Sequence, residues 1–177
     1  MVWSCLVSIL PGMAQTEKLT DYVNPFVGTD GYGNVYPGAQ IPFGGIQMSP
    51  DTDSRFYDAA SGYKYNHLTL MGFSLTHLSG TGIPDLGDFL FIPGTGEMKL
   101  EPGTHEDPDK GYRSRYSHDK EWASPNYYAV ELADYGVKAE MTSGVRSGMF
   151  RFTYPESDSA FIMIDMNHTL WQSCEWS

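Results

Sequence analysis

Between Tyr127 and Tyr154 the chain keeps a two-residue hydrophobic period through three successive segments, and that period constrains the fold more than any other feature. Tyr128, Val130 and Leu132 alternate with Tyr127, Ala129 and Glu131. Val137, Ala139 and Met141 alternate with Lys138, Glu140 and Thr142, and Phe150, Phe152 and Tyr154 with Met149, Arg151 and Thr153. Successive side chains of a strand point to opposite faces, so each segment offers one face to a core and the other to solvent or a second layer. Asp134-Tyr135-Gly136 and Ser143-Gly144 are turn signals between neighbouring segments, which predicts an antiparallel meander. Ala160-Phe161-Ile162-Met163-Ile164 is apolar throughout and predicts a central strand covered on both faces. Short strands at this spacing, without a helical period, predict an all-β chain folded as an antiparallel β-sandwich.

Residues 21–104 differ in character. Asn24-Pro25-Phe26-Val27-Gly28-Thr29-Asp30-Gly31-Tyr32-Gly33-Asn34 and Tyr36-Pro37-Gly38-Ala39-Gln40-Ile41-Pro42-Phe43-Gly44 carry too many breakers for any helix. A domain that spends this much chain on irregular backbone is usually building a site. The whole chain, 177 residues, is enough for one core and short for two ordinary domains. Its formal charge of −11 argues against nucleic acid or an anionic membrane as partner and leaves neutral ligands, cations and sugars, although an acidic surface is also an ordinary solubility feature.

The first fourteen residues read as a leader. Met1-Val2-Trp3-Ser4-Cys5-Leu6-Val7-Ser8-Ile9-Leu10 is uncharged, and Pro11-Gly12-Met13-Ala14 follows with small residues, as in a signal peptide cleaved after Ala14. The run departs from that pattern in having no Lys or Arg ahead of it, as expected of a leader that is incomplete here. It is too short to span a bilayer, so no membrane span is expected. The expectation is a secreted or periplasmic domain over residues 15–177. Cys174 is then the sole cysteine, which leaves stability to packing. The two tryptophans in the last seven residues, Trp171 and Trp176, suit a chain whose domain continues past Ser177.

Three stretches carry candidate chemistry. In Gly28-Thr29-Asp30-Gly31-Tyr32-Gly33-Asn34 the glycines suit either a structural turn or close backbone approach to a ligand. It is neither a dinucleotide nor a phosphate loop, and Asp30 with Asn34 is too small a donor set for calcium. Gly72–Asp88 gathers His77, Ser79, Gly80, Thr81, Asp85 and Asp88. The Gly-x-Ser-x-Gly elbow is absent and zinc spacing is absent, so polar groups lining a neutral-ligand pocket fit better than a serine nucleophile or a metal site. Around Tyr57, Asp58, Tyr63 and Tyr65, rings interleaved with a carboxylate suit sugar recognition, by stacking and paired hydroxyl hydrogen bonds, as well as they suit a self-packed surface loop. Glycoside hydrolysis needs two carboxylates flanking the scissile bond, and no spacing nominates a pair.

Asp21-Tyr22-Val23-Asn24-Pro25-Phe26-Val27-Gly28-Thr29-Asp30-Gly31, followed by Tyr36–Gly44, resembles the opening of glycoside hydrolase family 92. Ser61-Gly62-Tyr63-Lys64-Tyr65, Gly72-Phe73-Ser74-Leu75-Thr76-His77-Leu78-Ser79-Gly80-Thr81-Gly82 and Asp85-Leu86-Gly87-Asp88 follow in that family's order. The resemblance implies a secreted exo-α-mannosidase, acting with inversion on mannose-containing glycans and using Ca²⁺. It implies an N-terminal supersandwich domain paired with a C-terminal (α/α)₆ barrel that holds the acid, the base and the calcium ligands. No catalytic or metal-binding residue is then expected in this chain, which would contribute loops to the mouth of the pocket. An aromatic position near the leaving-group sugar is expected around Tyr57 to Ala60, where this chain has no Trp. Gly28, Thr29, Asp30, Gly31, Tyr57, Asp58, Tyr63, His77, Ser79, Gly80 and Thr81 become substrate-positioning candidates. The competing expectation is a free-standing carbohydrate-binding module.

Overall fold

The computed structural model describes residues 17–54 and 57–170, apart from the side chain of Asp58. The expected leader, Cys174 and both C-terminal tryptophans lie outside the described residues.

The described chain is built from ten strands: β1 (Ser49–Asp51), β2 (Thr69–Leu70), β3 (Gly72–Ser74), β4 (Leu90–Thr95), β5 (Ser114–Arg115), β6 (Glu121–Ser124), β7 (Tyr127–Leu132), β8 (Val137–Ser143), β9 (Gly148–Thr153) and β10 (Ala160–Asp165). The helical elements described are 3₁₀ turns of three or four residues. One four-stranded sheet runs β1-β3-β4-β10, a second runs β6-β7-β8-β9, and β2 pairs with β5. All pairings are antiparallel.

The meander forms as the period-two pattern requires. Tyr128, Val130, Leu132, Val137, Ala139 and Met141 are all buried and pack with Met48, Tyr63 and Phe73 from the other half of the molecule. Phe73 is fully enclosed and has Phe150 and Phe152 of β9 across the layer, with ring centroids 6.3 and 6.1 Å away. Each such large side chain contributes about 1.5–3 kcal/mol by leaving water, so this shared interior holds the two sheets together. A second, smaller cluster lies behind the first sheet, where Met71, Leu90, Ile92 and Tyr112 are buried and Met163 packs against them.

The fourth run, residues 160–164, takes a different position from the one its composition predicts. β10 pairs with β4 alone and stands at the edge of its sheet among the described residues. The register sets Ile164 opposite Phe91 and Ile162 opposite Pro93, so both isoleucines share the face on which Phe91 meets Phe150 at 5.0 Å. That face looks toward the other sheet, whose own edge strand is β9. The isoleucines overhang it, 51 and 50 % exposed, and Met166 beyond them is 72 % exposed. An apolar run reports which neighbours its side chains demand, and says nothing about how many strands flank it.

Candidate functional site

The three irregular stretches singled out in the sequence meet at one pole of the sandwich. Gly80 N–H donates to the Asn34 carbonyl at 2.6 Å, and Tyr65 N–H donates to the Thr29 carbonyl at 2.9 Å. A side chain at Gly82 would lie 3.2 Å from the Tyr57 hydroxyl and 3.3 Å from Asn34 Nδ2, so the 80–82 turn rests against both other stretches. The carboxamide oxygen of Asn34 is buried at this junction and has no hydrogen-bond partner among the described residues. No sequence period places these segments together; long-range backbone hydrogen bonds do.

Beneath the junction lies Asp51, with no exposed surface. Its Oδ1 is 2.7 Å from Nε2 of His77, and its Oδ2 is 2.8 Å from Nε2 of His168. Burial alone would raise the Asp51 pKa; the charge of His77 and the hydrogen bonds from both imidazoles override it and hold the carboxyl well below the usual carboxylate range. Two glycines let the loops settle on this hub. At Gly62, with φ +85°, a Cβ would stand 2.2 Å from Asp51 Oδ1. At Gly87, with φ +98°, it would stand 3.1 Å from the His168 ring. Both the 57–65 and the 76–88 loops are therefore seated directly on one ionised carboxylate.

A second hub supports the other side. The buried carboxylate of Glu121 accepts from Tyr63 Oη at 3.0 Å, from Tyr128 Oη at 2.5 Å and from His118 Nδ1 at 2.6 Å. Burial first, then neighbouring Tyr116 and Glu121, pushes the Tyr63 hydroxyl far above its ordinary range, so it remains a donor. His118 also reaches the Tyr65 carbonyl at 2.7 Å and stacks on the Tyr65 ring, with centroids 3.9 Å apart. Tyr65 meets Phe26 edge-on at 5.8 Å, which carries the support into the 24–34 stretch.

The candidate residues divide by direction. Asp30, Gly31, Tyr57, Ser79, Gly80 and Thr81 are exposed on the outer surface of the junction, Tyr57 at 57 %. Gly28 is half-buried, and Asp58 lies in the Tyr57–Ala59 turn. Thr29, Tyr63 and His77 are internal, 3, 1 and 2 % exposed. Thr29 Oγ1 donates to the Phe26 carbonyl at 2.8 Å, and Tyr63 and His77 belong to the two hubs. Motif membership thus mixes two kinds of residue, an outward rim and the inward posts that hold it.

The grouping of Ser74, His77 and Asp51 has the composition of a hydrolase triad without its geometry. Ser74 Oγ and Asp51 Oδ1 both face Nε2 of His77, at 3.0 and 2.7 Å, and Ser74 is fully buried. A general base needs its two partners on different ring nitrogens and an accessible hydroxyl. The outward acids are likewise engaged locally. Asp30 Oδ1 accepts from Gly31 N–H at 2.8 Å, Asp85 Oδ1 from Leu86 N–H at 2.8 Å, and Asp88 Oδ2 from Thr76 Oγ1 at 2.5 Å. What the pole offers chemically is orientation, through a rim of hydroxyls, amides and one ring on a rigid support.

Asp51, Glu121, His118 and His168 escaped the sequence reading. Asp51 sits in a short strand with no motif around it, and its partner His168 is 117 residues away. The available signal was weak: isolated acids and histidines in short strands and turns, which carry no pattern that names a buried partner.

Comparison with known proteins gives the family and the fold. The model of the glycosyl hydrolase family 92 N-terminal domain matches residues 22–177. An α-mannosidase of that family from Bacteroides thetaiotaomicron, BT3965, superposes with a TM-score of 0.88 and 98 % identity, over 89 % of this chain and 21 % of its own. The family member ccman5 superposes at 0.72 with 30 % identity, over 85 % of this chain and 21 % of its own. A glycosidase of Arthroderma benhamiae, described as secreted and uncharacterized, is 29 % identical over 140 residues, 78 % of this chain and 18 % of that protein. The chain thus spans about a fifth of the length of the relatives it matches. It belongs to glycosyl hydrolase family 92, and the part of that family it represents is the N-terminal β-sandwich domain.

Proposed function

We propose that this chain is the substrate-positioning part of a secreted exo-α-mannosidase that acts on mannose-containing glycans with inversion, its three-loop pole forming the mouth of the sugar pocket. One observation carries the reading: three separate stretches converge to present Asp30, Tyr57, Ser79 and Thr81 outward over two buried ionic hubs. A rim of hydroxyl, carboxylate and aromatic groups matches the alternating polar edge and C–H face of a pyranose. Rigid support lowers the ordering cost of binding. The buried Asn34 oxygen adds to this, since buried acceptors rarely lack a donor and a sugar hydroxyl or an ordered water would supply one.

Proton transfer is not assigned to these residues. The bond-cleaving acid and base, and the (α/α)₆ barrel that carries them, belong in this reading to the remaining length of the longer family members. In this reading the calcium ligands also belong to that remaining length; among the described residues no group of three or more His, Cys, Asp or Glu is arranged for a metal. The buried carboxylates are already engaged by imidazoles and tyrosines, which suits them to holding loops and not to coordinating a hard cation.

Titration of the chain with mannose and α-mannobioses, followed by amide NMR, tests the proposal. Shifts should concentrate in residues 28–34, 57–65 and 77–82; saturation with those amides unmoved overturns it. Calcium-dependent release of mannose by the purified chain would overturn the assignment of the chemistry to another part of the enzyme.

A further inference from the structure

The loops of the proposed mouth are held from below by two histidines whose surroundings dictate their charge. Nδ1 of His77 is 2.6 Å from the Gln47 carbonyl oxygen, and its Nε2 is 2.7 Å from Oδ1 of Asp51. A carbonyl oxygen has no hydrogen to give, and neither has an ionised carboxylate. Both ring nitrogens must then donate, and only imidazolium does so. His118 stands in the same position: Nδ1 is 2.6 Å from Oε2 of Glu121, and Nε2 is 2.7 Å from the Tyr65 carbonyl. His105 provides the contrast. Its Nε2 faces Asp53 at 3.1 Å, but its Nδ1 faces the Thr69 hydroxyl at 2.8 Å, which is able to donate, so one ring proton suffices.

We propose that His77 and His118 act as paired protonation clamps, tying the three mouth loops to the sandwich as imidazolium ions and releasing them on loss of a proton. The inference rests on the preceding section only in calling these loops a mouth. His77 fixes the start of the 76–88 loop to Asp51 of β1 and to Gln47 just before that strand, and Gln47 N–H in turn donates to the Leu75 carbonyl at 2.9 Å. His118 fixes Tyr65, whose N–H holds Thr29. When either ring loses a proton, a donor becomes a lone pair aimed at an oxygen, and a bond becomes a repulsion.

The groups around each ring set the direction. His77 faces Asp51 from β1, Ser74 from β3, the Tyr36 ring with centroids 5.1 Å apart, and His168 across the shared carboxylate. His118 faces Glu121 from β6, Tyr65 stacked on one side and Tyr116 edge-on at 5.6 Å, with Tyr63 and Tyr128 donating to the same carboxylate. Each ring thus has a carboxylate against one nitrogen, shared with His168 in the case of His77, and the clamp is lost when the ring gives up its second proton. Burial pushes the Tyr63, Tyr116 and Tyr128 hydroxyls above their ordinary range, so they stay protonated and cannot take the place of the imidazolium.

Ring-nitrogen NMR of the 177-residue chain, with no sugar present, tests this from about pH 5 to about pH 9. At the acid end His77 and His118 should show two protonated nitrogens. As each loses one, corrected amide-exchange protection in residues 28–34, 63–65 and 77–88 should fall about tenfold to a hundredfold. His77→Gln should abolish the pH step in 77–88 and leave the step at 63–65. A bare ring nitrogen on His77 and His118 throughout, or protection that stays constant while the protons leave, overturns the proposal. Neither outcome bears on sugar binding, which the mannose titration decides separately.

Discussion

The loop pole and the β9/β10 edge of this domain are ordered by opposite means. At the pole, irregular backbone is fixed by buried charge: Asp51 and Glu121 each collect donors from elements far apart in the chain. At the edge, two regular strands leave Ile162, Ile164 and Met149 half or more exposed. Regular hydrogen bonding therefore does not mark the better-buried region here. Loops without a repeating ladder need specific side-chain partners for rigidity, because their backbone groups find few partners of their own. Strands already have their ladder, so a sheet edge tolerates exposed apolar side chains at little cost in order.

If that contrast is right, the largest single loss should come from the pole. Asp51→Ala removes the carboxylate that His77 and His168 both address and leaves buried imidazoles without a counter-charge. Breaking one partner of a buried ionic group costs about 3–5 kcal/mol, and chemical denaturation should read a loss of that size. The same group fixes the acid limit. Its folded pKa is depressed, so its contribution is present above the unfolded value of about 3.9 and is lost only as pH falls through the folded one, below the ordinary carboxylate range. Acid unfolding of the wild type that tracks an ordinary aspartate would remove Asp51 from its role as hub.

Gly62→Ala should be the next most costly. The new methyl would stand 2.2 Å from Asp51 Oδ1, on a backbone with φ +85°. Strain in that region costs of order 1–3 kcal/mol, and overpacking a filled interior about as much again. A loss near 2–4 kcal/mol in thermal or chemical denaturation is expected. A neutral result would mean that the 57–65 loop is not seated on the carboxylate at all.

The same contrast explains what the sequence revealed. Strands β7, β8 and β9 are legible because one face of each is buried and the other wet, so Val130 against Glu131, or Ala139 against Lys138, writes the period directly. The loops were legible as a candidate site through their Gly, Pro and aromatic content, and as a family through several motifs in order. Which of their residues face outward was not legible. His77 and Ser79 differ by two positions and look equally polar, yet one is 2 % exposed and the other lies on the rim. The hubs were hidden for the same reason, since a buried Asp or Glu carries no periodic signature and its partners come from across the fold. The edge position of β10 was hidden because composition records the apolar demand of its side chains and not the number of neighbouring strands.

The smallest expected effect belongs to the edge, and it discriminates most sharply between the two regions. Ile164→Thr keeps a β-branched side chain suited to a strand and removes apolar surface that is already 50 % exposed. Surface changes of this kind usually fall within about 0.5 kcal/mol, so the midpoint of denaturation should barely move. Binding of an apolar dye such as ANS should fall, because the overhanging face is what would bind it. Val130→Thr provides the interior control. Val130 is fully buried in the layer between the sheets, and a hydroxyl there without a partner should cost about 1–3 kcal/mol. Equal losses for the two variants would show that the isoleucine is covered in solution, and the contrast between a locked pole and an open edge would then fail at the edge.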